Sequence, residues 1–91
     1  VVVVMPHDGD DHAVELANSS DYGLFSYVYA GNTTRAYEIG KKLESGNVAL
    51  NSIAPHMSAP FGGFKMSGIG RDRGVWGLKA YSELQAISWL A

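Results

Sequence analysis

A glycine-rich stretch at residues 59–74, APFGGFKMSGIGRDRG, contains five of the chain's eleven glycines and three of its seven Lys and Arg residues. Glycine N–H groups and cationic side chains together are typical of a phosphate-binding loop. A Walker loop needs Lys directly after its last Gly, whereas here Lys65 follows Phe64 and precedes Met66. A dinucleotide fingerprint needs GxGxxG directly after a strand, and residues 68–74 have one residue too many and no leading strand. The spacing therefore favours a tight structural loop over a phosphate site.

The other residue types that perform chemistry also lack the required spacing. The three histidines do not show the spacing of a metal site, and the aspartates near residue 10 lack the Glu of a calcium loop. No GxSxG nucleophile motif occurs. The chain has no cysteine, which excludes a thiol nucleophile, a thiolate metal site and a disulfide. We therefore predict no catalytic residue and no metal site within this chain.

The composition predicts apolar surface that another chain or domain covers. The chain has 91 residues, of which 46% are hydrophobic and 18% charged. So short a chain buries only about 60 to 65% of the surface exposed by its unfolded form. A net charge of −2 gives no electrostatic case for a nucleic acid or a membrane surface, and no apolar run approaches the roughly 18 residues of a membrane span.

The first half of the chain alternates strand and helix patterns, which predicts an α/β fold. The predicted elements are a strand at residues 1–5, a helix from Asp10 or Asp11 to Asn18, a strand at residues 24–29, a helix from Asn32 or Thr33 to about Glu44, and a strand at residues 47–51. Aspartate, Asn or Thr caps the start of each helix. Connections of this length favour right-handed crossovers, so we predict a βαβαβ, mainly parallel sheet.

The second half is less regular. A long loop punctuated by Pro and Gly follows residue 51, then a short helix at about residues 73–81 and a last strand at residues 83–90. The chain begins on Val, without an initiator Met, inside a predicted strand. We therefore expect it to be a piece of a longer protein.

Four segments together resemble a known family. They are ELANSSDYGL at residues 15–24, KKLESGNVALN at 41–51, APFGGFKMSGIGRDRG at 59–74 and GLKAYSELQAI at 77–87. In this order they resemble the C-terminal segment of the NAD(P)-dependent aldehyde dehydrogenase superfamily, over essentially the whole chain. The resemblance implies that residues 1–80 are the tail of the catalytic domain and that residues 81–91 contain the oligomerisation strand.

The resemblance also implies what this chain lacks. In that family a cysteine thiolate attacks the aldehyde, hydride passes to the nicotinamide, and a glutamate-activated water hydrolyses the thioester. The general base and the main cofactor motifs lie upstream of where Val1 aligns, so NAD or NADP is bound mainly by residues absent from this chain. We expect the isolated chain to be inactive. The implied partners are the rest of the polypeptide, a second subunit in a dimer or tetramer, and an aldehyde, in a cytoplasmic enzyme.

Site roles are carried over by position from the resemblance. Phe61 matches an aromatic residue that lines the aldehyde tunnel, while Ile53 and His56 fall in the variable loop at the tunnel mouth. The residues assigned to the path of the loop are Asn51, Gly62, Gly63 and Lys65.

A further set is assigned to the subunit interface. Arg71 and Glu83 match positions that form polar contacts near it, and Tyr81 lies beside Glu83 in the chain. Two readings remain open: a C-terminal piece of an aldehyde dehydrogenase, or a non-catalytic oligomerisation or binding module from a truncated reading frame. A small independent enzyme is disfavoured, because the nucleophile and cofactor site are missing.

Overall fold

The computed structural model describes residues 1–54 and 56–91. The elements in chain order are α1 (Asp10–Asn18), β1 (Tyr22–Gly23), β2 (Phe25–Val28), α2 (Thr33–Gly40), β3 (Asn47–Leu50), β4 (Phe64–Lys65) and α3 (Gly74–Lys79). The two sheets have two strands each, β1 with β4 and β2 with β3.

The centre of the fold is the β2–α2–β3 unit. Strands β2 and β3 pair in parallel, from Phe25 opposite Asn47 to Val28 opposite Leu50. Helix α2 covers this pair, and its Ala36 is fully buried. The parallel crossover through a helix is therefore confirmed for this part of the chain.

The ends of α2 are set by two local hydrogen-bond patterns. The Asn32 side chain accepts a hydrogen bond from the Arg35 N–H at 2.8 Å, which confirms the predicted cap. The predicted end near residue 44 is wrong, because α2 ends at Gly40. After the helix, the N–H groups of Lys42 and Leu43 each donate to a carbonyl three residues earlier. These bonds tighten the chain into a turn.

Helix α1 begins without the predicted aspartate cap. Its N-cap is Gly9, and no side chain caps the helix. Asp10 instead accepts two hydrogen bonds from the Arg35 guanidinium, at 2.7 and 3.0 Å, and the pKa of Asp10 is lowered chiefly by these bonds. Asp11 accepts a hydrogen bond from Lys42 Nζ at 2.9 Å. Asp10 attaches α1 to α2 and Asp11 attaches it to the turn after α2, so neither carboxylate closes the helix end.

Residues 1–5 and 83–90 do not form the predicted strands. No backbone hydrogen bond joins either segment to another described residue. Their side chains are exposed. Since a strand needs a neighbouring strand for its backbone N–H and C=O groups, the apolar pattern alone forms no sheet here. The five-element βαβαβ sheet is not formed by the described residues.

The glycine-rich loop is closed by two backbone pairings that the sequence did not predict. Strand β4 pairs antiparallel with β1, with Tyr22 opposite Lys65. At the base of the loop Phe61 and Asp72 exchange N–H···O bonds of 2.8 and 2.7 Å. The loop is therefore held at its base by the Phe61–Asp72 pairing and again at β4 by the pairing with β1.

Much of the apolar surface is uncovered. Among the described residues, the buried hydrophobic core consists of Val28, Ala36 and Ala49. The radius of gyration is 17.3 Å, and the principal extents are 62 × 27 × 25 Å. A compact domain of this length has a radius of gyration of about 12 Å. In the described part of the chain, no helix is long and apolar enough to cross a membrane.

Candidate functional site

An open groove of about 390 Å³ lies between β3 and the glycine-rich loop. Its size falls within the range of roughly 300 to 1,000 Å³ of small-molecule sites. The lining residues are Phe25, Gly46, Asn47, Val48, Ala49, Leu50, Ser52, Ala54, His56, Ala59, Pro60, Phe61 and Arg73. Most of these are apolar, with a few polar groups among them, which is the usual composition of a ligand site.

Phe61 forms one wall of this groove. The Phe61–Asp72 backbone pairing fixes the backbone position from which the Phe61 side chain extends. The Phe61 ring is half-buried, and the Arg73 guanidinium lies 4.7 Å from its centroid. An aromatic side chain on a fixed backbone provides a rigid apolar surface for a ligand.

Of the two residues predicted at the mouth of the aldehyde tunnel, one lines the groove. His56 lines the groove together with Phe61, and its Nδ1 accepts a hydrogen bond from the Ser58 N–H at 3.3 Å. Ile53 does not line the groove and is 76% exposed. The structure therefore brings together Phe61 and His56 and leaves Ile53 outside.

Asn51 connects the end of β3 to the end of β2. Its side-chain oxygen accepts a hydrogen bond from the Ala30 N–H at 2.9 Å. Its backbone N–H donates to the Val28 carbonyl at 2.8 Å. The backbone at Asn51 has φ +49°, a region that Asn adopts more readily than most residues. These contacts set the direction in which the chain leaves the sheet towards the groove.

Lys65 joins the glycine-rich loop to two earlier parts of the chain. Its Nζ donates to the carbonyls of Asn18 at 2.9 Å and Ser20 at 3.0 Å, just after α1. It also forms an ion pair with Glu44, between α2 and β3. With 29% of its side chain exposed, Lys65 is more protected than the other ion-paired cations among the described residues.

Gly62 and Gly63 are in close contact with the chain's own backbone. A Cβ at Gly62 would lie 2.5 Å from the Gly70 carbonyl oxygen. A Cβ at Gly63 would lie 2.7 Å from the Ser67 carbonyl oxygen and 2.4 Å from the Ser67 Cβ. A Cβ atom does not approach other non-bonded heavy atoms this closely, so no residue with a side chain fits at either position. These glycines allow the loop to fold on itself.

We expect Gly63→Ala to destabilise the protein by about 2 kcal/mol or more, since the added methyl group overpacks the loop. Gly31→Ala is the matched control, because a Cβ at Gly31 meets nothing within 4 Å. Denaturant unfolding of the protein from the complete reading frame measures both variants. Equal stability of the two variants would contradict the close packing of the loop.

Among the described residues, no hydrogen bond or ion pair joins the three predicted interface residues to one another. The Arg71 guanidinium turns back into the loop, where its Nη1 donates to the carbonyls of Gly63 at 3.2 Å and Gly70 at 2.6 Å. Tyr81 is 89% exposed and Glu83 is exposed. Arg71 therefore has a structural contact within the loop that the sequence did not predict.

The comparison with known proteins decides the family. A sequence profile described as the aldehyde dehydrogenase family matches residues 1–87. The chain belongs to the aldehyde dehydrogenase family. The resemblance predicted from the four segments is therefore confirmed.

Individual aldehyde dehydrogenases are similar to the chain over most of its length. It is 41% identical to 3-succinoylsemialdehyde-pyridine dehydrogenase of a Pseudomonas species, over 96% of this chain and 18% of that protein. It is 45% identical to 2-hydroxymuconic semialdehyde dehydrogenase of Pseudomonas sp. strain CF600, over 92% and 18%. An NAD⁺ complex of aldehyde dehydrogenase from Bacillus cereus superposes with a TM-score of 0.84 at 42% identity, over 91% of this chain and 17% of that one. The α/β fold is thus confirmed, and the chain spans about a fifth of its relatives' length.

The glycine-rich loop does not fit the dinucleotide that aldehyde dehydrogenases use. In the glycine-rich loop, the space beside Gly62 and Gly63 is filled by the loop's own backbone. No group of three or more potential metal ligands occurs in the part of the chain that the structure describes. No reaction step through a cofactor is therefore assigned to these residues.

Arg73 is the groove residue that sequence reasoning missed. The resemblance gave a role to Arg71, two residues earlier, and none to Arg73. In the structure, the Phe61–Asp72 pairing brings Arg73 to the groove. A signal was present in the sequence: a third cation in the loop that carries Phe61. Its place against Phe61 depends on a pairing between residues 11 positions apart, which local spacing does not reveal.

Proposed function

We propose that this chain is the C-terminal part of the catalytic domain of an NAD(P)-dependent aldehyde dehydrogenase. In this proposal its residues bind and orient the aldehyde, while the nucleophile, the general base and most of the cofactor site belong to other parts of the protein. Support comes from the family match over residues 1–87 and from the absence of cysteine in the sequence. The single observation that carries the proposal is the apolar groove with Phe61 in its wall.

The groove suits the part of an aldehyde next to its carbonyl. Apolar side chains such as Val48, Leu50 and Phe61 line it and provide contact area for a carbon chain. An aromatic wall also excludes water from the reacting carbonyl, which strengthens the electrostatic interactions that stabilise developing charge. Several relatives are named as dehydrogenases of aldehydes or semialdehydes, which is consistent with an aldehyde substrate.

We further propose that residues 1–80 complete the catalytic domain and that residues 81–91 join an oligomer, a dimer or tetramer. The apolar side chains of Leu84, Ile87 and Leu90 are 103%, 74% and 102% exposed, as expected of a segment that becomes covered on assembly. In this proposal Arg71, Tyr81 and Glu83 lie near that interface. The cytoplasmic location stays a prediction.

Phe61→Ala tests the proposed role of the groove in the protein from the complete reading frame. We expect kcat/KM for a straight-chain aldehyde to fall about 10- to 100-fold, because a buried Phe contributes roughly 1.5 to 3 kcal/mol of apolar contact. The KM for NAD or NADP should change little. Formation of reduced nicotinamide measures each quantity.

The matched control is Tyr37→Ala, which removes an aromatic ring that lies 55% exposed on α2, outside the groove. This variant should keep the wild-type kcat/KM. If the Phe61 and Tyr37 variants behave alike, the groove is not where the aldehyde binds. A complete reading frame that lacks a cysteine-bearing catalytic segment would instead favour the oligomerisation module.

A further inference from the structure

The groove beside Phe61 carries positive charge and no carboxylate. Among the described residues that line it, the ionisable side chains are His56 and Arg73, and none is Asp or Glu. The remaining polar lining groups, from Asn47 and Ser52, are neutral. A site of this kind favours a ligand that carries a negative charge.

The Arg73 guanidinium is available to such a ligand. Within residues 1–54 and 56–91 it has no ion-pair or hydrogen-bond partner, and its contact is with the face of the Phe61 ring. Stacking on a ring leaves the in-plane N–H donors of a guanidinium free. The neighbouring carboxylate, Asp72, forms no ion pair with this guanidinium, and its Oδ1 accepts the backbone N–H of Arg73 at 2.9 Å.

The other cations of the chain are used differently. Arg35, Lys41, Lys42 and Lys65 form ion pairs with carboxylates, and Arg71 donates to two loop carbonyls. Lys79 lies over the Trp76 ring and does not line the groove. In the part of the chain that the structure describes, Arg73 is thus the groove-lining cation whose donors remain unused.

The backbone at Arg73 is also unusual. It has φ 66° and ψ 155°, a region that is essentially restricted to glycine. A residue with a side chain in this conformation is strained, and strained positions cluster at ligand-binding sites. This conformation places the side chain of Arg73 over Phe61 at the groove.

We propose that Arg73 gives this site a preference for aldehydes that also carry a carboxylate. The planar fork of a guanidinium matches a carboxylate in a two-point hydrogen-bonded pair, while the ring of Phe61 contacts the carbon chain between the two ends of the substrate. The inference rests on the proposed function, since it names the class of aldehyde that the same groove selects.

The test compares two aldehydes of equal chain length in the protein from the complete reading frame. The probes are 5-oxopentanoate, which has a carboxylate, and pentanal, which has none. The readout is the ratio of their kcat/KM values. Wild-type protein should favour 5-oxopentanoate, and Arg73→Gln should lower the ratio about 10- to 100-fold, the value of a charge-assisted hydrogen bond.

Two further variants sharpen the result. Arg73→Lys keeps the charge without the fork, so its ratio should fall between those of wild type and Arg73→Gln. Both variants keep a Cβ, which leaves the backbone strain unchanged. Lys79→Gln removes a ring-stacked cation that lies outside the groove, and it should leave the ratio at the wild-type value.

The outcomes separate this inference from the proposed function. If both aldehydes are oxidised and neither Arg73 variant changes the ratio, the preference for a carboxylate is overturned while the proposed function stands. If neither aldehyde is oxidised, calorimetric titration with glutarate decides the inference, because it reports binding of a carboxylate without turnover. Glutarate binding that is lost in Arg73→Gln supports the anion site, and no binding to wild type overturns it.

Discussion

Expressed alone, the 91-residue chain forms no reduced nicotinamide from any aldehyde. Oxidation in this family needs a thiolate to hold the substrate, and the sequence contains no cysteine. The loop that resembles a nucleotide-binding site is closed by its own backbone at Gly62 and Gly63. Added NAD or NADP should therefore give no signal above the protein-free rate, while the protein from the complete reading frame should turn over.

The same isolated chain should self-associate. Residues such as Val1, Ile69, Leu84 and Leu90 are essentially fully exposed, with values of 128%, 101%, 103% and 102%. Among the described residues only Val28, Ala36 and Ala49 form a buried hydrophobic core, so we expect other molecules to cover the apolar surface. Sedimentation at rising protein concentration should show growing species. A monodisperse monomer with one sharp unfolding transition would contradict this account of the fold.

Lys65→Met should destabilise the protein from the complete reading frame by about 3 kcal/mol. The change removes charged hydrogen bonds to two carbonyls and an ion pair, at a side chain that is 29% exposed. It should also lower kcat/KM for aldehydes, because the loop that carries Phe61 loses its attachment to the region after α1. Methionine keeps a side chain at φ +54°, so the backbone strain is the same in both proteins.

Lys41→Met is the control for this prediction. Lys41, the residue directly after α2, pairs with Glu38 in the last turn of that helix, and both side chains are about half exposed, at 48% and 59%. Such a surface pair contributes less than about 0.5 kcal/mol. Urea unfolding of the two variants gives the comparison. Similar losses of stability would mean that Lys65 does not fasten the loop.

Local signals in the sequence predicted the parts of the fold that depend on neighbouring residues. Asn32 was one of the two predicted caps of α2, and such a cap is predictable because its side chain bonds within its own helix turn. The parallel β2–α2–β3 unit followed from the order of apolar runs. Residues 1–5 and 83–90 had the same apolar character, yet they form no strand. A strand needs a neighbouring strand to pair with, and an apolar pattern does not show whether one is present.

The candidate site was predictable only in part, for a related reason. The resemblance pointed to Phe61 and His56, which the structure places in one groove. It did not point to Arg73, whose position depends on backbone pairing across the loop. The glycines looked alike in the sequence, but Gly63 is needed for close packing and Gly70 for its φ of +80°. Three-dimensional contacts separate these roles.

The most direct test of the central claim is to map where a photoreactive aldehyde attaches to the protein from the complete reading frame. All lining residues of the groove except Phe25 and Arg73 lie within the tryptic peptide of residues 43–65. The account predicts that a label on the aldehyde's carbon chain attaches to this peptide and that an excess of unlabelled aldehyde prevents it. Competable labelling confined to other peptides would show that the aldehyde binds elsewhere.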